Sequence, residues 1–289
     1  MNPKGFIKRL FTSIIKDDFP GMASEMAYSF ILTLFPFLIF LVAVFGVLGT
    51  ETQVDQVLTS IGGVVPSSVQ VVIESVLKGV ISTSSGSLLT IGLFITLFAA
   101  SNAMFVLIKG LNRAFKVEET RPYWYTRGLS ILMVIVNVLV LFIGANLIIF
   151  GRIIMNILLS FIHIPYHVIN TVLFVRWPIV FMAMFTMAFL NYYFMPNVHG
   201  DNEIRVKSTF PGALFFCIFW LLASWGFSLY VDNFGRYNEV YGTLAAFTVL
   251  LIWLYYTSLI ILIGGEINSQ VYASLSKKRN SEEDTSVQQ

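Results

Sequence analysis

Ionisable side chains are scarce in this sequence. Only 12% of its 289 residues are Asp, Glu, Lys or Arg, against about 25% in an ordinary soluble domain. Eighteen basic and sixteen acidic residues are too few to clothe a water-soluble particle of this length. Cysteine is nearly absent. The one thiol, Cys217, lies inside an apolar run, which excludes an intrachain disulfide and a cysteine-ligated zinc site. Of the three histidines, His163 and His167 are four apart. Pro165 between them disturbs the shared helical face a metal site needs, so no metal is expected. The net charge of +2 gives no pointer to nucleic acid. No cleavable leader is expected, because the first apolar run is long and no small-x-small site follows it.

What is present is hydrocarbon in blocks. Apolar residues make up 56% of the chain, and the mean hydropathy is +0.78. Six runs, at about 26–48, 87–108, 128–150, 177–195, 209–231 and 243–265, contain no Asp, Glu, Lys, Arg or His. At about 1.5 Å of rise per residue, each approaches the ~30 Å of a bilayer core. Continuous blocks of this kind satisfy their backbone as helices, whereas barrel strands alternate and are about half as long. The expected fold class is an all-α membrane protein with six transmembrane helices.

Around that core, residues 1–21 read as an interfacial amphipathic helix. Phe6, Ile7, Leu10, Phe11, Ile14 and Ile15 share a face, with Lys4, Lys8, Arg9 and Lys16 off it. The six-helix domain spans 22–272. Residues 273–289 form a polar tail expected to be disordered. The connection 51–85 reads as one or two short extracytoplasmic helices. The stretch 151–176 reads as an outer-leaflet helix or re-entrant turn, with entry of 153–172 into the membrane as the rival. Pro178 and Pro211 are expected in the first turns of their helices, where a missing N–H costs little. Pro36 sits in mid-run and predicts a kink.

Basic residues set the orientation. Fourteen fall in the N-terminal segment, the second and fourth connections and the tail, and four on the opposite side. The positive-inside rule then puts both termini in the cytoplasm of a multi-pass plasma or inner-membrane protein. A faint internal echo pairs Gly86-Ser-Leu, Ser101 and Asn112 with Gly242-Thr-Leu, Thr257 and Asn268 at equal spacings.

Charges gather at the membrane rims. Glu25, Lys109, Arg113 and Glu266 fall at the cytoplasmic edge. They form either a gated mouth or ordinary interfacial ion pairs, which are worth only about 0–1 kcal/mol when exposed. Glu266 is the leading candidate because it follows Gly264-Gly265, where another backbone can approach closely. At the outer edge, Arg152, Arg176 and Arg236 suit an anionic headgroup, since the guanidinium fork binds two oxygens; the alternative is snorkelling. Asn102 and Asn137 are candidates to line a polar cavity within the spans, the alternative being hydrogen bonds between helices. Trp124, Trp177, Tyr192 and Tyr193 read as an interfacial aromatic belt.

Several stretches together resemble the YihY/BrkB family of bacterial inner-membrane proteins. They are Tyr237-Asn-Glu-Val-Tyr-Gly-Thr-Leu, Trp253-Leu-Tyr, Gly264-Gly-Glu-Ile-Asn268, Phe210-Pro-Gly-Ala-Leu214 and Asn191-Tyr-Tyr-Phe-Met-Pro196. Leu111-Asn-Arg-Ala-Phe115, Glu118-Glu-Thr-Arg-Pro-Tyr-Trp124 and Ala27-Tyr-Ser-Phe-Ile-Leu-Thr-Leu-Phe-Pro36 complete the set. The resemblance covers about residues 15–272 and implies six transmembrane helices. The family name carries an association with virulence, and an older ribonuclease BN label is widely regarded as a misassignment. No mechanism comes with it. The residues favour a transporter or a handler of lipids or amphiphiles, with membrane lipids and an amphipathic or anionic solute as partners. An ion-coupled transporter and a non-transporting envelope scaffold are the alternatives. No enzymatic activity, cofactor or nucleic-acid partner is expected.

Overall fold

The computed structural model describes residues 3–48, 86–140, 166–233 and 243–287. Among the described residues every regular element is a helix. In chain order these are α1 (Pro3–Lys16), α2 (Phe19–Leu48), α3 (Gly86–Phe115), α4 (Tyr123–Val140), α5 (Tyr166–Phe194), α6 (Asn202–Asn233) and α7 (Thr243–Val287).

Local chemistry sets the helix ends. Asp18 separates α1 from α2 in a left-handed conformation, φ 51°. Its carboxylate accepts the Gly21 N–H at 3.2 Å, capping α2. Lys116 closes α3, also left-handed at φ 56°. The Val117 N–H reaches back to the Asn112 carbonyl and the Lys116 N–H to that of Arg113, each at 3.0 Å. This is the Schellman arrangement, with lysine in the place glycine usually takes. Asp201 caps α6 through the Glu203 N–H at 2.6 Å.

α2 packs along α3, α6 along α7, and α7 crosses both α2 and α3; α5 lies against α6, and α1 rests on α7 and α2. Phe19, Met26, Ile108, Leu111, Met195 and Leu262 are fully buried at these crossings. The outward faces are apolar as well. Phe94, Phe98 and Trp225 are each about two-thirds exposed (68%, 70% and 66%). That is the pattern of a protein whose solvent is lipid. On α1, Ile7, Phe11 and Ile15 form an exposed stripe while Ser13 is buried, as an interfacial helix requires.

Among the described residues four helices are long and apolar enough to cross a membrane: Thr90–Phe115, Tyr123–Val140, Asn202–Phe227 and Phe247–Ser281. Pro178–Phe194 is a shorter apolar helix. Side chains of α2 beyond Pro36 and of α5 before Pro178 lie outside the described residues, as does the connection 51–85.

The structure differs from the sequence reading in four places. Residues 166–176 are the opening turns of α5. Pro178 and Pro211 consequently lie inside α5 and α6, not in their first turns. Beside Pro211, which has no N–H, the Gly212 N–H donates to Asn268 Oδ1 at 2.6 Å; interior prolines are tolerated in membrane helices where neighbours satisfy the freed groups. The tail is helical through Val287 rather than disordered. No glycine or proline follows Gly265 within α7 to stop the helix, and Tyr272 Oη donates to the His199 carbonyl at 3.2 Å while Arg279 pairs with Asp201. Finally, Tyr192 is no belt residue. It is buried, and its hydroxyl donates to the Ile261 carbonyl at 2.8 Å.

Candidate functional site

The connections α3–α4 and α5–α6, helix α1 and the last third of α7 meet at one end of the bundle, hereafter the basic end. An aromatic cleft between α5 and α6 runs toward it. Phe181, Phe185 and Phe189 recur every four residues along α5 and so share a face. With Met182, Thr186, Phe210, Pro211 and Leu214 they enclose an almost wholly apolar cleft of about 740 Å³, open on one side. Rings continue in contact beyond it. Phe210 lies 5.6 Å from Phe185 and 5.2 Å from Phe189, and Phe189 stacks on Tyr193 at 6.1 Å with the planes 6° apart. The Arg205 guanidinium caps the series, 4.6 Å from the Tyr193 ring centre, a cation–π contact. Arg205 also donates to the Tyr193 and Pro196 carbonyls, which fixes it there. The whole is an apolar slot with the Arg205 cation beyond one end.

A second cluster surrounds Glu266 on α7. This carboxylate is fully buried. Lys116 Nζ lies 3.4 Å from Oε1, and Gln270 Nε2 donates to the same oxygen at 2.9 Å. Lys116 also donates to Ser13 Oγ at 2.8 Å and stands 3.8 Å from Asp17 Oδ2. The left-handed turn at Lys116 ends α3 beside α1 and α7, and its side chain spans the gap.

A third cluster ties the connections together. Glu119 accepts from Arg121 Nε at 2.7 Å, Arg121 Nη2 at 2.6 Å and Asn112 Nδ2 at 2.8 Å. Asn112 Oδ1 accepts the Asn197 N–H at 2.7 Å, and Asn197 Nδ2 donates to the Glu118 carbonyl at 2.8 Å. Partial burial alone pushes the Glu119 carboxyl upward. Hydrogen bonds from Arg121 and Asn112, with the Arg121 charge, outweigh it and hold the group below its ordinary value.

A family model described as virulence factor BrkB matches residues 10–288. The chain belongs to the BrkB family. A ribonuclease-like protein of Bacillus subtilis (strain 168), YfkH, is 32% identical over 270 residues, 92% of this chain and 95% of that one. A UPF0761 membrane protein of Xanthomonas oryzae pv. oryzae (strain PXO99A) is 30% identical over 92 residues, 32% of this chain and 22% of its own. No solved structure matches. A BrkB-family chain with several long apolar helices is an integral membrane protein.

The predicted site residues of this BrkB chain separate into distinct surroundings. Glu25 does pair with Lys109, whose Nζ reaches both carboxylate oxygens at 2.9 and 3.0 Å; the pair is exposed. Arg113 joins Lys109 in a smaller cleft of about 370 Å³ with Asn112 and Glu119. Glu266 belongs with Lys116 instead. Asn137 is buried in a reciprocal amide pair with Asn191, both bonds 3.1 Å, while Asn102 is exposed. The two amides therefore do not line one cavity. Arg152 and Arg236 lie outside the described residues, and so does the side chain of Arg176. Sequence reasoning missed Arg205, Lys116, Gln270 and Asn268. The four-residue spacing of Phe181, Phe185 and Phe189 was a usable signal for the cleft. The echo between Asn112 and Asn268 was another, since both are buried and both accept a backbone N–H from another helix or its flank.

Proposed function

We propose that this protein handles an anionic amphiphile of the membrane, whose chain lies in the α5–α6 cleft and whose headgroup meets Arg205. The open apolar slot, with the Arg205 guanidinium beyond its end, carries this reading. Lipid tails are as apolar as leucine, so inside a bilayer the cleft gains nothing from the hydrophobic effect. It accommodates a chain by shape and dispersion contacts, and the polar end supplies selectivity. Arginine suits that role because it stays charged and its fork matches phosphate or carboxylate oxygens.

Six membrane crossings with both termini in the cytoplasm fit the six uncharged runs and the excess of basic residues on one side. On that topology the basic end, Arg205 included, faces the cytoplasmic leaflet. Transport or lateral sorting of the amphiphile is the activity such a slot serves. RNA cleavage, which the printed name of the Bacillus relative suggests, is no part of this reading. Lipids retained by the purified protein provide the test. Native mass spectrometry is expected to show anionic lipids held over zwitterionic ones. R205Q loses that preference by about tenfold, or ~1.4 kcal/mol, while K207Q, whose parent pairs with exposed Glu203, keeps it. Retention without headgroup preference in the unaltered protein would favour a scaffold.

A further inference from the structure

Glu266 holds a carboxylate in an environment that satisfies only half of it. Both Lys116 and Gln270 address Oε1. Among the described residues no protein group reaches Oε2, and the same is true of the buried Gln270 Oε1 and of Asp17 Oδ2 within hydrogen-bonding distance. Three oxygens, all acceptors, are therefore left over within one cluster. A fully buried carboxylate oxygen without a partner is costly, so each such group in a folded protein calls for an explanation.

Charge points the same way. Asp17 and Glu266 bring two carboxylates and Lys116 brings one ammonium. Lys116 is about half exposed, so part of its charge is spent on water. Among the described residues no other cation pairs with Glu266 or Asp17. Lys109 of α3 is engaged by Glu25 of α2, Arg121 by Glu119, and Arg279 of α7 by Asp201. The cluster is short of one positive charge and rich in hard oxygen donors, the ligands that alkali and alkaline-earth cations take. The lysine at the left-handed end of α3 is held beside it, where glycine would relieve the backbone.

From this we infer that Glu266, Gln270 and Asp17 form a binding site for one monovalent metal cation, sodium or potassium. The site joins α1, the end of α3 and α7. Cation binding therefore ties the interfacial helix to the bundle. It stands independently of the amphiphile reading, since it shares no residue with the cleft.

Thermal unfolding of the full chain in nanodiscs, followed by tryptophan fluorescence, tests the proposal. Sodium or potassium chloride replaces choline chloride at constant ionic strength. The unaltered protein is expected to gain about 5 °C at saturating cation, as ligand binding to the folded state alone requires. E266Q removes the buried charge and abolishes the gain. D17N, at a partly exposed position that tolerates the change, reduces it by at least half and decides the matter if E266Q fails to fold. Equal melting temperatures in sodium, potassium and choline would overturn the proposal. So would a full cation response in D17N together with E266Q.

Discussion

At Gly212 the side chain is a hydrogen atom, and the helix pair α6–α7 depends on it. A methyl there would lie 2.1 Å from the Gly264 carbonyl oxygen and 2.5 Å from the Asn268 amide. Both neighbours are held: Gly264 is backbone, and Asn268 accepts the Gly212 N–H. G212A must push the helices apart and is expected to destabilise by about 1–3 kcal/mol. G226A lies on the same helix with nothing within 4 Å. It is expected to be neutral or to stabilise by up to ~1 kcal/mol, since alanine is the better helix former. Denaturation of the two variants side by side in the same micelle checks the contrast. A loss at both positions would point to general packing rather than close approach. Gly264-Gly265-Glu266 was legible as a local pattern. Its partner Lys116 was not, because it stands 150 residues away and arrives through a left-handed helix end that hydropathy does not encode.

The connection between α3 and α4 is anchored by one carboxylate. Glu119 has a depressed pKa in the folded protein, so its contribution to stability is complete above the ordinary carboxylate range and disappears as pH falls through the folded value. E119Q is expected to melt below the unaltered protein at neutral pH, with the gap closing on acidification through that window. A gap constant with pH would assign the loss to hydrogen bonding alone. The helices themselves were readable because long uncharged runs satisfy their backbone groups most readily as helices. Their ends were less readable. α6 begins where Asp201 can cap it, and α7 continues because no breaker follows and Arg279 finds Asp201. Caps and distant ion pairs set those limits, and neither shows in a hydropathy pattern. The polar residues inside the runs differ among themselves: Asn137 and Asn191 close on each other between helices, Ser101 bonds within its own helix and Asn102 is exposed.

Taken as a whole, the molecule buries polar groups at the basic end and offers apolar surface along its sides. Thr96 and Thr33 stitch α2 to α3 through the Pro36 and Ala99 carbonyls at 2.6 and 3.1 Å, so that pair is closed. The α5–α6 side is not closed in the same way, and the cleft results. Its α5 wall is a phenylalanine stripe that the sequence reading passed over, and the opposing Phe210 and the capping Arg205 come from another helix and needed the fold to bring them there. The measurement that bears most directly on the account is photo-crosslinking in bilayers with a phospholipid carrying a diazirine on its acyl chain. Labelling is expected on the segment Phe181–Phe189 and on Phe210–Leu214, and T186W, which fills the slot, is expected to lower it about tenfold while leaving labelling of the exposed α3 face at Phe94 and Phe98 unchanged. Equal labelling of all lipid-facing helices, indifferent to T186W, would contradict it.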